Sequence, residues 1–232
     1  MKVSVVVPAF NEEKLLAESL RAIRAAMAVL PDAELIVCDN NSTDRTADIA
    51  RAAGAKVVFE PENQISRARN TGARAASGDW LLFIDADSTP SLDLLRDTRA
   101  AMETGQAVGG GATVAFDSMP LDGRIAVGAW NLLSRAAGWA AGSYFFVRTE
   151  AFRAAGGFSE ALYASEELDL SRKLKRMGRM VILHRHPLRT SARKLSLYSR
   201  GELRRFFFRT LLSGGRTLRR KEDCSAWYDG RR

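Results

Sequence analysis

Two aspartates, Asp85 and Asp87, directly follow a run of apolar residues in the stretch LLFIDADST, residues 81–89. Only Ala86 separates them, so in an extended chain both carboxylates lie on the same side. Two acids this close repel each other, and neither belongs at the end of a buried strand without a positive partner. Because hard divalent cations prefer carboxylate oxygens, the pair predicts a metal site. The alternative is a solvated turn after a strand.

A second acidic pair, Glu166 and Glu167, opens an amphipathic helix that we predict over residues 165–178, with Ser165 as its N-cap. A carboxylate at this position can act as a general base. The alternative is structural: acids near a helix N-terminus are favoured by the helix dipole, and Asp169 can pair with Lys173 one turn later.

Strands and helices alternate in the first part of the chain, which is typical of a parallel sheet covered on both faces. Short β-branched or apolar runs predict the strands, and apolar residues at helical spacing predict the helices, the first of them with Asn11 as its cap. The predicted strands are 2–7, 34–38, 55–60 and 80–85, and the predicted helices are 11–29, 42–54 and 65–78.

Polar or turn-forming residues follow three of these strands, so they are expected along one rim of the sheet, where α/β proteins bind ligands. They are Pro8-Ala9-Phe10, Asp39-Asn40 and Asp85-Ala86-Asp87.

The second half is less regular. We predict strands at 107–116, where Gly109–Gly111 permit a bend or a close approach, and at 143–148, with a helix at 121–137 between them. A short strand at 180–183 is predicted to end in a loop that carries the two histidines, His184 and His186.

Composition limits the class of protein. A chain of 232 residues that is 46% hydrophobic can bury one sizeable core. Its two cysteines, Cys38 and Cys224, make a disulfide framework improbable and favour a reducing compartment. No apolar stretch approaches the roughly 20 residues of a transmembrane helix. We therefore expect a cytoplasmic protein, at most peripheral to a membrane.

The net charge of +8 is concentrated at the C-terminus. Residues 185–232 carry 14 of the 35 Lys and Arg but only 4 of the 27 Asp and Glu, a net charge of +10, so the first 184 residues carry −2. This distribution argues against a main domain that binds nucleic acid. It leaves open that the C-terminal tail binds phosphates, a membrane surface or an acidic partner. We predict one domain at 1–184, with halves at 1–88 and 89–184, and an extension at 185–232.

Five segments, taken in order, resemble the motif series of family 2 glycosyltransferases with the GT-A fold: VSVVVPAFNEE, VCDNNSTDRT, ARNTGARAASGDWLLFIDADS, GGF and SEELDL. The similarity covers roughly residues 2–170. It implies a GT-A type, Rossmann-like α/β fold with a mostly parallel sheet, flanked on both faces by helices. It also implies a nucleoside-diphosphate sugar as donor, Mn²⁺ or Mg²⁺ as cofactor, and usually inversion at the anomeric carbon.

The resemblance implies roles for particular positions. Those on the donor side are Pro8, Ala9, Phe10 and Glu12 around base and ribose, Asp39 and Asn40 at the base, Arg69 and Asn70 near the diphosphate, and Asp85, Ala86 and Asp87 at the metal. Asn40 departs from the usual acidic pair, which leaves the identity of the base open.

The catalytic base of the family maps onto Glu167, with Glu166 as the close alternative, and a histidine after the catalytic helix, His184 or His186, supplies a third metal ligand in some GT-A enzymes. The segment 189–194 is then expected to be a basic loop that closes over the diphosphate. The structural alternative for both histidines is an ordinary position in a loop.

The acceptor stays open between a small molecule and a lipid-linked hydroxyl. Residues 202–221, which mix arginines with Phe206–Phe208, either lie on an anionic membrane or pack against the domain or a second subunit. We expect transfer of a single sugar. The alternative from another class is a non-catalytic nucleotide-sugar-binding or interaction module. A sugar-1-phosphate nucleotidyltransferase would need a glycine-rich basic loop after the first strand, and PAFNEE differs from that pattern.

Overall fold

The computed structural model describes residues 1–30, 32–116 and 119–191, together with positions 201, 202, 205, 208–210, 213, 215–224 and 228. The strands of this part are β1 (Val3–Ala9), β2 (Glu34–Asp39), β3 (Lys56–Phe59), β4 (Trp80–Ile84), β5 (Ser88–Thr89), β6 (Ala107–Phe116), β7 (Tyr144–Arg148) and β8 (Arg179–Thr190). They form one sheet in the order β3-β2-β1-β4-β7-β6-β8-β5. The helices are α1 (Leu16–Met27), α2 (Thr46–Ala52), α3 (Ile65–Arg74), α4 (Leu92–Glu103), α5 (Leu121–Ala137), α6 (Thr149–Ala154) and α7 (Glu166–Leu174).

The sheet is mixed. The first four strands in this order are parallel, and so is the pair of β6 and β8. In contrast, β7 runs antiparallel to β4 and β6, and β5 runs antiparallel to β8. The predicted α/β class is confirmed, and the carboxyl ends of β1, β2 and β4 meet at one rim as expected.

Both faces of the sheet are covered, because the residues of β1 are buried on either side. Val3, Val5 and Val7 belong to one apolar cluster with residues of α1 and α4, whereas Val6 belongs to another with residues of α3, α6 and α7. This alternation follows from the two-residue period of a strand. It explains why β1 is apolar without interruption.

The glycines of β6 allow close approach rather than a sharp bend. A Cβ atom at Gly110 would collide with the carbonyl oxygen of Val181 and with the ring of Phe146, which belong to the two neighbouring strands. The strand therefore stays continuous between β7 and β8, and Phe146 packs fully buried over its glycine.

Two predicted helix caps are wrong. Helix α1 begins at Leu16, and Asn11 instead has a left-handed backbone (φ 51°) with its Oδ1 accepting from the Thr43 amide at 2.8 Å. Ser165 is also left-handed (φ 63°), and its side chain makes no capping hydrogen bond to α7. Short polar side chains tolerate this conformation in tight turns, so both residues act in loops.

The predicted strand at 180–183 extends to Thr190, so His184 and His186 lie within β8 and not in a loop after it. Ala112 pairs with Leu183 and Val114 with Leu188, so β8 carries extra residues between these two pairs and the register shifts. Pro187 lies in this irregular part, where a proline that lacks an amide hydrogen is tolerated.

Part of the C-terminal segment packs against the domain. The amide of Tyr163 donates to the carbonyl of Leu218 at 2.7 Å, and Cys224 is fully buried. Short 3-10 turns lie at Arg216–Arg219 and Lys221–Asp223. The apolar residues Phe206, Phe207, Leu211 and Leu212, for which membrane contact and packing were the two alternatives, lie outside the described residues, as do residues 192–194 of the predicted basic loop. Within the described residues, no helix has the length and apolar character needed to cross a bilayer.

Candidate active site

A cleft of roughly 500 Å³, partly open to solvent, lies at the carboxyl ends of β1, β2 and β4. Its lining comprises eight of the predicted donor-site residues together with three that were not predicted. These are Pro8, Ala9, Phe10, Glu12, Asn40, Asp85, Ala86 and Asp87 in the first group, and Asn63, Ile65 and Tyr228 in the second.

The positive partner of Asp85 within the chain is Arg69, which has only 1% of its surface exposed. The Nη2 atom of Arg69 lies 3.0 Å from Asp85 Oδ1, and its Nη1 atom lies 2.7 Å from Glu166 Oε1. With Glu167 these residues form the Arg69 cluster: Arg69, Asp85, Glu166 and Glu167. The guanidinium group thus joins the end of β4 to the start of α7.

Two further contacts hold the guanidinium group of Arg69. Its Nη2 donates to the carbonyl of Gly142 at 2.9 Å, and its centre lies 5.2 Å from the ring centroid of Phe158. Although burial alone would lower the pKa of Arg69, the carboxylates of Asp85 and Glu166 raise it above its usual value. Arg69 therefore remains a cation whose two Nη atoms bind protein acceptors, while its buried Nε has no hydrogen-bond partner among the described residues. Arg69 was predicted to contact the donor diphosphate directly. In the structure its side chain instead binds Asp85 and Glu166 and so positions them.

The Arg69 cluster contains three carboxyl groups and one guanidinium group, so it would be net negative if every acid were ionised. Burial, and secondly the neighbouring Glu167, raise the pKa of Glu166 to about 8, against the lowering effect of Arg69. Glu166 therefore tends to keep a proton at neutral pH, which relieves the excess of negative charge.

Glu166 and Glu167 have different surroundings although they are adjacent. Glu166 is 2% exposed and its Oε1 binds Arg69. Glu167 is half-buried, and its buried Oε2 has no hydrogen-bond partner among the described residues. Glu167 Oε1 lies against Gly142, where a Cβ atom would collide with it. The glycine makes room for this carboxylate.

At the end of β2, both predicted base-binding residues hold loops. Asp39 Oδ1 accepts from the Ser42 amide at 3.0 Å, and Asp39 is not among the residues that line the cleft. Asn40 does line it, but its Nδ2 donates to the carbonyls of Glu60 and Glu62 at 3.2 and 2.6 Å. Its Oδ1 accepts from the Gln64 amide. Both amide hydrogens of Asn40 are thus already used, so its side chain has no further hydrogen to donate to a base.

The loop after β1 is fixed by the loop after β2. The amide of Glu12 donates to Thr46 Oγ1 at 2.8 Å, and the amide of Glu13 donates to Asp44 Oδ2 at 3.1 Å. Asp44 also accepts from the Thr46 amide at 2.9 Å, which makes it a local cap at the start of α2. These contacts orient Phe10 and Glu12, both of which line the cleft.

Asn70 faces away from the predicted donor contact. Its Nδ2 donates to the Phe158 carbonyl and to Glu160 Oε1, and its Oδ1 accepts from the Phe158 amide. Asn70 therefore fixes the loop that precedes α7, and a direct contact with the donor, as predicted, does not fit this arrangement.

His186 does not join the aspartates at the cleft. Its Nδ1 atom lies 3.0 Å from Asp97 Oδ2 on α4. Across the described residues, no three side chains of His, Cys, Asp or Glu are grouped so that they could hold a metal ion. The prediction that His186 is a third metal ligand is therefore wrong. The extended course of β8 places this histidine beside α4.

Sequence analysis missed Tyr228, Gly142 and Phe158 as parts of the site. Phe158 belongs to the GGF motif, but that motif gave it no role at the site, and Gly142 has no local signature. Tyr228 lies 60 or more positions from every predicted donor-site residue and from Glu166 and Glu167, and no sequence pattern connects it to the cleft.

Comparison with known proteins identifies the family of this chain. The family model described as Glycosyl transferase family 2 matches residues 4–151. The chain belongs to glycosyl transferase family 2. This confirms the resemblance drawn from the motifs, and the matched range contains every strand end that forms the cleft.

Curated relatives of this family 2 chain match less than half of it. A probable glycosyltransferase, YdaM, of Bacillus subtilis (strain 168) is 34% identical over 122 residues, which cover 45% of this chain and 29% of the relative. The curated relatives compared are matched over less than half of their own length.

Solved structures share the fold. The mannosyltransferase PcManGT from Pyrobaculum calidifontis, in complex with GDP-Man and Mn²⁺, has a TM-score of 0.69 at 22% identity and covers 88% of this chain and 59% of that one. S. aureus TarS 1-349 in complex with UDP-GlcNAc has a TM-score of 0.65 at 22% identity and covers 82% and 58%.

Proposed function

We propose that this protein transfers a single sugar from a nucleoside-diphosphate sugar to a hydroxyl group of an acceptor, with inversion at the anomeric carbon. Family membership and the donor-bound structural neighbours PcManGT and TarS support a nucleotide-sugar donor. The cleft supports it as well, because eight residues from three strand ends line one continuous space. The acceptor is a small molecule or a lipid-linked hydroxyl.

The residues at the end of β4 fit a divalent metal. Asp85 and Asp87 both line the cleft, and only one oxygen of Asp85 is bound by Arg69. Mg²⁺ is usually held by one or two carboxylates and completes its shell with substrate phosphates and water, so a site without a histidine suffices. When bound, Mn²⁺ or Mg²⁺ would neutralise charge on the leaving diphosphate. Both ions accept this set of oxygen ligands.

Glu167 is the proposed catalytic base. The observation that carries this assignment is its buried Oε2, which has no hydrogen-bond partner among the described residues. A base needs an oxygen that is free to accept the proton of the acceptor hydroxyl. The acceptor oxygen then attacks the anomeric carbon, and the bond from that carbon to the diphosphate oxygen breaks. Glu166 is unsuited to this step because it binds Arg69 and retains a proton.

Arg69 is a positioning residue in this scheme. By binding Asp85 and Glu166 together, Arg69 fixes the distance between the carboxylate of Asp85 and the start of α7. Its positive charge also limits the repulsion among the carboxyl groups of the Arg69 cluster.

The first experiment is a thermal-shift panel with UDP, GDP, TDP and CDP, each with Mn²⁺, Mg²⁺ or EDTA. A ligand at ~100 times its dissociation constant adds ~2.7 kcal/mol to the free energy of unfolding. We expect a rise in melting temperature for one nucleotide that is lost with EDTA and in Asp87→Asn. No rise for any nucleotide would contradict the donor assignment.

Glu167→Gln separates catalysis from binding. We expect the variant to bind the same nucleotide as the wild type, and to turn over the matching nucleotide sugar about 10²–10⁴ times more slowly because the base is lost. Glu150→Gln, an exposed acid on α6, serves as the control and should leave turnover unchanged. Unaltered turnover in Glu167→Gln would refute its role, and binding without turnover in the wild type would favour a non-catalytic nucleotide-sugar-binding module.

A further inference from the structure

The C-terminal segment reaches the cleft through one aromatic side chain. Tyr228 lines the same space as Phe10, Asp85 and Asp87, although it lies in the basic extension that follows the sheet. The segment is anchored by the hydrogen bond from Tyr163 to Leu218 and by the buried Cys224. This part of the extension is therefore a wall of the cleft.

Three contacts hold the Tyr228 side chain. The amide of Ile65, the first residue of α3, donates to its hydroxyl oxygen at 3.3 Å. Its ring meets the ring of Tyr163 edge to face, with the centroids 5.5 Å apart, and the Lys221 ammonium lies 5.5 Å from its ring centroid. A side chain that is fixed before a ligand arrives loses little conformational freedom when the ligand binds.

The hydroxyl group of Tyr228 can donate as well as accept. It accepts from Ile65 and keeps its own hydrogen, for which no acceptor is found in the described part of the chain. Burial raises the pKa of Tyr228, so the phenol stays protonated. It therefore offers a hydrogen-bond donor to the cleft.

The segment that precedes Tyr228 is basic, and the Lys221 ammonium of this segment lies beside the Tyr228 ring. Residues 216–221 contain four cationic side chains in six positions, Arg216, Arg219, Arg220 and Lys221. A hydrogen bond to a charged acceptor is roughly twice as strong as one between neutral groups. Phosphate oxygens of the donor are the anionic groups that the proposed function brings into this cleft.

We infer that Tyr228 is a further donor-binding residue, whose hydroxyl donates a hydrogen bond to the diphosphate of the nucleoside-diphosphate sugar. The inference rests on the proposed function and extends the donor site to the C-terminal segment.

The test is calorimetric titration of the full-length protein with UDP and GDP in the presence of Mn²⁺, and with uridine and guanosine at millimolar concentration. Tyr228→Phe keeps the ring and removes only the hydroxyl. We expect it to bind the preferred diphosphate about tenfold more weakly, with nucleoside binding unchanged. Tyr163→Phe keeps its ring contact with Tyr228 and is the matched control, with wild-type affinity expected. Equal melting temperatures of the variants exclude a folding defect.

Each outcome decides the inference. Equal diphosphate affinity in Tyr228→Phe and the wild type would overturn it and leave the proposed function intact. Tighter binding by the variant would overturn it too, because the segment would then obstruct the cleft. An equal loss for nucleosides would assign the contact to the base or ribose and not to the phosphates. No binding of any of the four diphosphates UDP, GDP, TDP and CDP by the wild type would overturn the inference together with the proposed function.

Discussion

The loop end of the cleft, formed by residues 8–12, 39–40 and 60–65, and the Arg69 cluster differ in how their polar groups are satisfied. At the loop end, side chains such as Asn40 bind backbone groups of neighbouring loops, and the ion pair of Glu62 with Arg67 is partly exposed. In the Arg69 cluster, one guanidinium group faces three carboxyl groups, and one buried carboxyl oxygen has no partner within the described residues.

This difference indicates a division of labour. At the loop end, polar side chains such as that of Asn40 make their hydrogen bonds within the protein, so this end contributes mainly to the shape of the cleft. The Arg69 cluster carries excess negative charge and an unsatisfied acceptor, which stable cores avoid and reactive sites retain. The residues that matter for chemistry are therefore expected at the cluster, and substitutions at the two ends should differ in kind.

The largest effect on stability is expected for Arg69→Met. Removing one partner from a buried ion pair costs about 3–5 kcal/mol, because the remaining charges lose their compensation. The control is Arg67→Met on the same helix, where the side chain is 34% exposed and pairs with Glu62 and Glu160, so the loss should stay below about 1 kcal/mol. Urea denaturation measures both variants. Similar losses for the two would remove the distinction between the cluster and ordinary ion pairs.

A pH-dependent effect is expected for Glu166. Because its pKa is raised to about 8 in the folded protein from its usual value of 4.5, the folded state keeps a proton that the unfolded state releases. Stability from this group is therefore complete below pH 4.5 and is lost progressively as the pH rises through 8. Glu166→Gln should lack this loss, so it should gain stability relative to the wild type as the pH rises.

Denaturation of the wild type and of Glu166→Gln at pH 5, 7 and 9 measures this gain, with the exposed Glu150→Gln as the control that should follow the wild type. A stability difference that stays constant over this range would show that Glu166 is ionised throughout and that its pairing with Arg69 outweighs burial.

The smallest effect is expected at the loop end, for Asn40→Asp. A carboxylate still accepts from the Gln64 amide, but it can no longer donate to the carbonyls of Glu60 and Glu62 and instead repels them. We expect a loss of about 1–3 kcal/mol, the usual cost of unsatisfied buried groups. The exposed neighbour Asn41→Asp makes the same chemical change in solvent and should be neutral. If Asn40→Asp were as stable as the wild type and bound nucleotide more tightly, Asn40 would be a base-binding residue after all.

Some positions could be predicted from the sequence because their signals are local. Periodicity gave β6 and α5 with their observed bounds, 107–116 and 121–137, and the apolar runs located β1, β2 and β4 within one or two residues. The antiparallel placement of β7 could not be predicted, because pairing partners far apart in sequence leave no local pattern. The caps at Asn11 and Ser165 failed because the same short polar side chains also favour left-handed turns.

The sequence by itself determined the family, the α/β class and the rim at which Asp85, Asp87 and the residues after β1 meet, because strand ends and motif order are written in consecutive residues. Only the tertiary structure decided what each polar group contacts. It gave Arg69 to Asp85 and Glu166, turned His186 towards Asp97, and brought Tyr228 back to the cleft. These assignments depend on side chains that are distant in sequence competing for the same partners, and such competition is resolved only when the chain is packed.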